Sequence, residues 1–321
     1  MQQSRRNFLK KALIGSSGAL VLTHLGLGRK VWAQDEDLSI LSGWLRYKGN
    51  KNALYNYYYS LAEPLLKERK EKVSQLSTTD QWQSRQRTMR RRIIQSIGGD
   101  FPEKTPLNAR ITGTVQKDTY RIEKVIFESL PDYPVTACLF IPHEGESKKP
   151  AIIYCSGHSD VAFRSQTYQH EILNLVDKGF IVFAFDPIGQ GERLQYYNPD
   201  LGRSMVGGAT KEHSYPGAQC FITGTSIARY FIWDGIRAVD YVLTRMEVDP
   251  ARIGITGRSG GGTQSAYIGA LDDRILAAAP ECYITSFIRM LESFGLGDAE
   301  QNFYHGIKYR IDQADLLEQR V

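Results

Sequence analysis

A chain of 321 residues with 42% hydrophobic and 11% aromatic residues has enough apolar material for one large domain or two small ones, which excludes a disordered chain. The formal charge of +5 would suit a nucleic-acid or anionic-surface partner, but Arg5, Arg6, Lys10, Lys11, Arg29 and Lys30 all fall in residues 1–34, which hold no acidic residue. Without those six positive charges the remainder carries about −1, so no nucleic-acid partner is expected.

Residues 1–33 have the form of an export signal, with a basic start, a modestly apolar stretch from Ala12 to Leu27, and the small-residue cleavage pattern Val31-Trp32-Ala33. The leading Ser4-Arg5-Arg6-Asn7-Phe8-Leu9-Lys10 resembles a twin-arginine signal. This implies the twin-arginine export machinery as a partner and a periplasmic or secreted location. The apolar stretch is short and interrupted for a span of hydrocarbon about 30 Å thick, so no stable membrane span is expected after signal removal. The four cysteines, Cys138, Cys155, Cys220 and Cys282, lack metal-ligand spacing; a disulfide involving Cys220 or Cys282 stays open.

Residues 34–107 read as an N-terminal helical flank or cap. Ala53, Tyr57, Leu61, Leu65 and Leu66 recur near helical spacing, and Ser77-Thr78-Thr79-Asp80 signals the cap of a second helix from Trp82 to Ile97. Its Arg90-Arg91-Arg92 is expected to be a solvated face. Gly98-Gly99-Asp100-Phe101-Pro102 ends the helices. The period then changes, and residues 120–127 and 135–141 read as an antiparallel pair turning at Asp132-Tyr133-Pro134. Beyond them, short apolar strands at 151–155, 180–185, 253–256 and 274–280 alternate with helices at 167–177, 225–244 and 260–271. A long polar loop is expected from Pro187 to about Thr223. This alternation predicts an α/β class with a mostly parallel sheet covered by helices, carrying its site at the carboxyl ends of the strands.

Gly257-Arg258-Ser259-Gly260-Gly261 has the G-x-S-x-G pattern. The string alone is weak, but a β-branched strand precedes it and a helix-compatible segment follows, which is the strand, sharp turn and helix the motif requires. Ser259 is therefore the expected nucleophile. Its oxyanion hole needs the backbone N–H of Gly260 and a second N–H from the loop Ser156-Gly157-His158-Ser159-Asp160, with His158 preferred over Ser159. Asp186 and Arg193, around the Gly189-Gln190-Gly191 loop, are candidate substrate contacts, although salt-bridging or loop capping explains each as well. Tyr196, Tyr197, His213 and Tyr215 offer ring surfaces for a sugar or an aryl ester.

With Pro102 to Asn108, Tyr120 to Val125, Asp186 to Arg193, Trp233 to Arg237, Asp249 to Ile253 and the elbow in place, residues 80–315 resemble the α/β-hydrolase superfamily. Within it they resemble the bacterial exported acetyl-xylan-esterase-like and dienelactone-hydrolase-like group. The resemblance implies a partial α/β-hydrolase domain over 108–321 and a serine carboxylic-ester hydrolase acting on a small-molecule or saccharide ester, with acetyl or related groups removed from carbohydrate. Neither a metal nor an organic cofactor is needed for that acyl transfer.

The usual order of nucleophile, acid and histidine runs past Val321, so the chain reads as C-terminally incomplete, its last strands missing. The alternative within these residues pairs Ser259 with Glu281 as acid and His305 as base. Two other functions stay open: a catalytically incomplete pseudo-hydrolase or carbohydrate-binding module, and a serine peptidase.

Overall fold

In the computed structural model, residues 52–295 and 297–320 are described. The expected signal segment, residues 1–33, lies outside them. The chain divides into a unit of residues 1–56 and a unit of residues 57–321; only the start of a helix is described in the first. Among the described residues no helix is long and apolar enough to cross a membrane.

Two helices open the described chain, α1 (Ala53–Ser74) and α2 (Thr79–Ser96). Thr78 caps α2, its hydroxyl accepting from the Gln81 N–H while the Gln81 side chain reaches back to the cap, so two orphan donors of the first turn are satisfied reciprocally. Met89, Ile93 and Ile97 form the buried stripe of α2. Arg90 and Arg92 are not merely solvated, contrary to expectation. Arg90 donates to the Ala270 and Leu271 carbonyls and Arg92 to that of Tyr309, whereas Arg91 is exposed. Carbonyls left free at a helix end, such as those of Ala270 and Leu271, recruit cationic donors, which a run of arginines read by itself does not reveal.

The main sheet has the order β1-β2-β3-β5-β4-β8-β9. Its strands are β1 (Arg110–Gln116), β2 (Tyr120–Leu130), β3 (Tyr133–Pro142), β4 (Lys149–Cys155), β5 (Ile181–Phe185), β8 (Val248–Arg258) and β9 (Ala277–Glu281). A separate short hairpin is formed by β6 (Tyr197–Asn198) and β7 (Arg203–Ser204). The pairs β1–β2, β2–β3 and β3–β5 are antiparallel, while β5, β4, β8 and β9 run parallel. The turn between β2 and β3 is made by Asp132 at φ 58°. This is a left-handed conformation that Asp tolerates better than most residues.

Side chains alternate across each strand. Phe127, Leu139, Ile153, Phe183 and Ile255 face one layer with Val239 and Val242 of α5 (Ala228–Val242) and Ile268 of α6 (Gly260–Leu271). Phe140, Tyr154 and Val182 face the other, against Tyr168 and Ile172 of α3 (Gln166–Asp177). Being covered on both sides is why β4 and β5 read as continuous apolar runs. The mostly parallel sheet with helices on both faces is the expected α/β-hydrolase class.

Two elements depart from the sequence reading. β1 is an edge strand with little burial and a register shift at Gly113, so it carries too few apolar residues to announce itself. Inside the expected polar loop lies α4 (Ala209–Ile222), a 14-residue helix containing Pro216. It buries Ala209, Glu212, His213 and Gly217. The spacing is helical, but the two large residues of the buried face are polar.

Candidate active site

β8 ends at Arg258 and α6 begins at Gly260, leaving Ser259 to make the whole turn at φ 58°, ψ −119°. A non-glycine residue pays on the order of 1–3 kcal/mol for such a conformation, and the surroundings enforce it. The Ser259 N–H donates to the Glu281 carbonyl of β9 at 3.0 Å, and its own carbonyl accepts from the Thr263 N–H at 3.0 Å. The side chain is exposed at the carboxyl end of the parallel strands, where open α/β sheets place their ligands.

The loop after β4 lies directly against this turn. A methyl group built on Gly157 would sit 3.2 Å from Ser259 Cβ, and one on Gly260 would sit 2.9 Å from His158 Cε1 and 3.1 Å from its Nδ1. The His158 imidazole therefore covers the residue that follows the serine. Neither the Gly260 nor the His158 amide has a hydrogen-bond acceptor among the described residues. Gln190 fixes the loop from behind, accepting from the Ser159 N–H at 3.2 Å and donating to the Gly157 carbonyl at 3.3 Å.

His158 belongs to a cluster that the sequence reading missed. Its Nε2 lies 3.2 Å from Nδ1 of His213 and 3.1 Å from Oε1 of Glu300, while His213 Nδ1 lies 3.0 Å from Glu300 Oε2. His213 and Glu300 are 2% and 1% exposed, so His213 is an interior group and not the ring surface expected of it. Asp298 stands 3.6 Å from His158 Nε2. Glu300 is in a short 3₁₀ turn, Ala299–Gln301, whose Gln301 side chain donates to Thr263 of α6. Tyr267 of α6 donates to the Glu300 carbonyl at 3.1 Å.

Burial alone would push the Glu300 carboxyl up, but the two adjoining imidazoles together hold it at about 2. Burial likewise works against a charged His158, yet Glu300 and Asp298 outweigh it and raise its pKa. Burial and Glu300 raise that of Asp298. The ligand atoms of His158, His213 and Glu300 all lie within 4.8 Å of one another, making them the group here that could hold a metal ion. They are 55 and 87 residues apart along the chain, so no short motif marks them.

The two expected substrate contacts are turned inward. Asp186 is fully buried; it accepts from Arg164 at 2.6 Å, from the Thr136 hydroxyl at 2.6 Å and from the Glu192 N–H at 3.2 Å. Arg193 is also buried and donates to Asp234 at 2.7 Å and to the carbonyls of Asp186 and Pro134. Both charges are paired inside the protein, although Arg193 Nη2 is buried without a hydrogen-bond partner, and the expectation that they touch substrate is corrected to one of holding the loop after β5. Tyr196 and Tyr215 pack edge to face at 5.6 Å, with Tyr215 and Tyr197 about half exposed.

Of the alternative acid and base, Glu281 borders the elbow through its carbonyl while its side chain is exposed. His305, at φ 58°, packs against the tilted ring of Tyr304 at a centroid distance of 4.0 Å and edge-on to Tyr309 at 5.8 Å. It lines a cavity of about 270 Å³ with Phe287 and Met290. No hydrogen bond joins it to Ser259 or Glu281 among the described residues, so the structure does not assemble these three into a triad. All four cysteines are free thiols, with no disulfide at Cys220 or Cys282.

Among solved structures, the chain is similar to one described as "a putative acetyl xylan esterase" from Bacteroides fragilis NCTC 9343, at TM-score 0.59 and 18% identity over 75% of this chain and 66% of that one. It is also similar to methylesterase BT1017, at TM-score 0.58 and 21% identity over 82% and 53% of the two chains. At these identities the likeness concerns the fold. A relative from Bacillus subtilis (strain 168), "Putative hydrolase YtaP", is 23% identical over 209 residues, which are 61% of this chain and 64% of that protein. The chain thus spans just under two thirds of the length of this curated relative. The acetyl xylan esterase (AXE1) family model matches residues 103–313, a stretch that holds the elbow, the β4 loop and the His213–Glu300 pair, and the chain belongs to that family.

Proposed function

We propose that this chain is a serine carboxylic-ester hydrolase that works through an acyl-enzyme on Ser259 and removes acetyl or related ester groups from carbohydrate. The reading rests on one observation: Ser259 is held at φ 58°, ψ −119° on an exposed turn between a parallel strand and a helix. A hydroxyl so placed can reach an ester carbonyl, with free N–H groups of Gly260 and His158 nearby for the oxyanion.

In this scheme the Ser259 proton passes to a base, its oxygen attacks the carbonyl, the alcohol leaves and water releases the acid. The carbohydrate class follows from membership of the acetyl xylan esterase family. Export by the twin-arginine route, and with it a periplasmic or secreted location, is proposed from residues 1–33 alone.

The reading is tested by turnover of an aryl acetate and of acetylated xylan, together with covalent labelling by a fluorophosphonate. Ser259→Ala is expected to abolish labelling and to lower turnover by at least about a thousandfold. Turnover that survives this change would end the serine mechanism. Saccharide binding with neither label nor turnover would favour a pseudo-hydrolase, and amide turnover would favour a peptidase. His305→Ala is expected to leave turnover unchanged.

A further inference from the structure

The contacts within the buried cluster cannot all be hydrogen bonds. His213 Nε2 lies 2.8 Å from the Ile188 carbonyl. Because a carbonyl only accepts, Nε2 carries the proton, and in the neutral ring Nδ1 presents a lone pair. That lone pair faces Glu300 Oε2 at 3.0 Å and the His158 ring nitrogen at 3.2 Å. A single added proton could point along only one of these two directions. Glu300 Oε1 is buried without any hydrogen-bond partner, although His158 Nε2 is 3.1 Å away. A buried carboxylate oxygen left in this way is costly.

We propose that His158 Nε2, His213 Nδ1 and the Glu300 carboxylate form a three-ligand site for a divalent cation of the zinc class, beside the Ser259 elbow. Two imidazoles and one carboxylate are a ligand set used by catalytic zinc, and imidazole favours first-row transition metals over magnesium or calcium. Metal–ligand bonds of about 2.0–2.1 Å put tetrahedral donors about 3.3 Å apart; the two ring nitrogens are 3.2 Å apart, and the Glu300 carboxylate spans both, Oε1 lying 3.1 Å from His158 Nε2 and Oε2 3.0 Å from His213 Nδ1, with one ligand atom from each residue within 4.8 Å of the others.

The outer contacts suit such a site. A ligating histidine ordinarily gives its other N–H to a carbonyl or carboxylate, as His213 does to Ile188. Asp298, 3.6 Å from His158 Nε2, adds a second carboxylate near the fourth position.

The consequence reaches the elbow. With Nε2 on the cation, His158 Nδ1 is fixed as an N–H donor over Gly260, where the developing oxyanion of an acyl transfer would lie. The cation would also clamp three separate segments, the β4 loop, α4 and the 298–301 turn, around the nucleophile.

The test is metal binding itself, which does not require Ser259 to be active. The full chain, stripped with a chelator, is titrated with Co²⁺ and Zn²⁺ while visible absorption, bound metal per chain and melting temperature are followed. One equivalent of Co²⁺ giving the d–d spectrum of a tetrahedral site is expected, with Zn²⁺ raising the melting temperature by about 5 °C at a hundredfold excess over Kd. Glu300→Gln, close in shape to the natural residue, and His213→Ala should each weaken binding by at least about a hundredfold. Ser259→Ala should keep the spectrum while losing turnover, which separates this proposal from the esterase reading. Failure of the natural chain to take up one equivalent, or binding unchanged in a folded Glu300→Gln, would overturn it.

Discussion

Gly260 meets two demands at once. It starts α6 directly after the strained serine, and it lies under the His158 ring, so that any side chain would press on that imidazole at 2.9 Å. His158 is partly open to solvent and can shift, so Gly260→Ala should move the ring without unfolding the protein. A displacement of about 1 Å near reacting atoms can cost on the order of a hundredfold in rate. We therefore expect Gly260→Ala to lower kcat by that amount while the urea midpoint stays near that of the natural chain. An unchanged kcat would show that the ring's position over residue 260 is irrelevant to turnover. The small residues at this turn are readable from the G-x-S-x-G string because their spacing is local. What presses on Gly260 is not readable, since His158 comes from a loop about a hundred residues earlier and its partners from α4 and the 298–301 turn.

The loop after β5 illustrates how a charged residue near a site can be structural. Arg193 ties Asp234 of α5 to the carbonyls of Asp186 and Pro134, and Asp186 in turn gathers Arg164 and Thr136. Composition marks these residues as polar and near a strand end, but burial, which decides between substrate contact and internal support, is a tertiary property. Removing Arg193 leaves the Asp234 carboxylate buried and unpaired, which typically costs about 3–5 kcal/mol. Arg193→Met should accordingly lower the urea midpoint strongly while leaving KM for a small aryl acetate unaltered. A raised KM at undiminished stability would return Arg193 to the substrate. The same blindness hid α4, since a helix whose buried face holds Glu212 and His213 gives no apolar period. The fully covered strands β4 and β5 and the capped α2 were legible because their burial is apolar and their signals lie within a few residues.

Across the 57–321 unit, the sheet and its helices are joined by a few charged junctions as well as by apolar layers. Asp240 of α5 accepts from Lys104 of the segment ahead of β1 at 2.7 Å, from Arg237 at 2.6 Å, and from Arg274 between α6 and β9. One carboxylate thereby links three regions that are distant in sequence. Partial burial pushes its pKa up, but the hydrogen bonds and charges of Lys104 and Arg274 prevail and hold it below the usual aspartate value. A carboxyl depressed in the folded protein contributes stability that is complete above its unfolded pKa of about 3.8 and fades as pH falls through the lower folded value. Asp240→Asn should therefore cost about 2 kcal/mol at pH 7, where charged hydrogen bonds are lost. The gap to the natural chain should narrow progressively below about pH 4, as the natural carboxylate is itself neutralised. Urea unfolding of both proteins between pH 7 and pH 2.5 measures that gap. A difference that stays constant over the range would mean that Asp240 acts through shape, and that its charge does not hold these segments together.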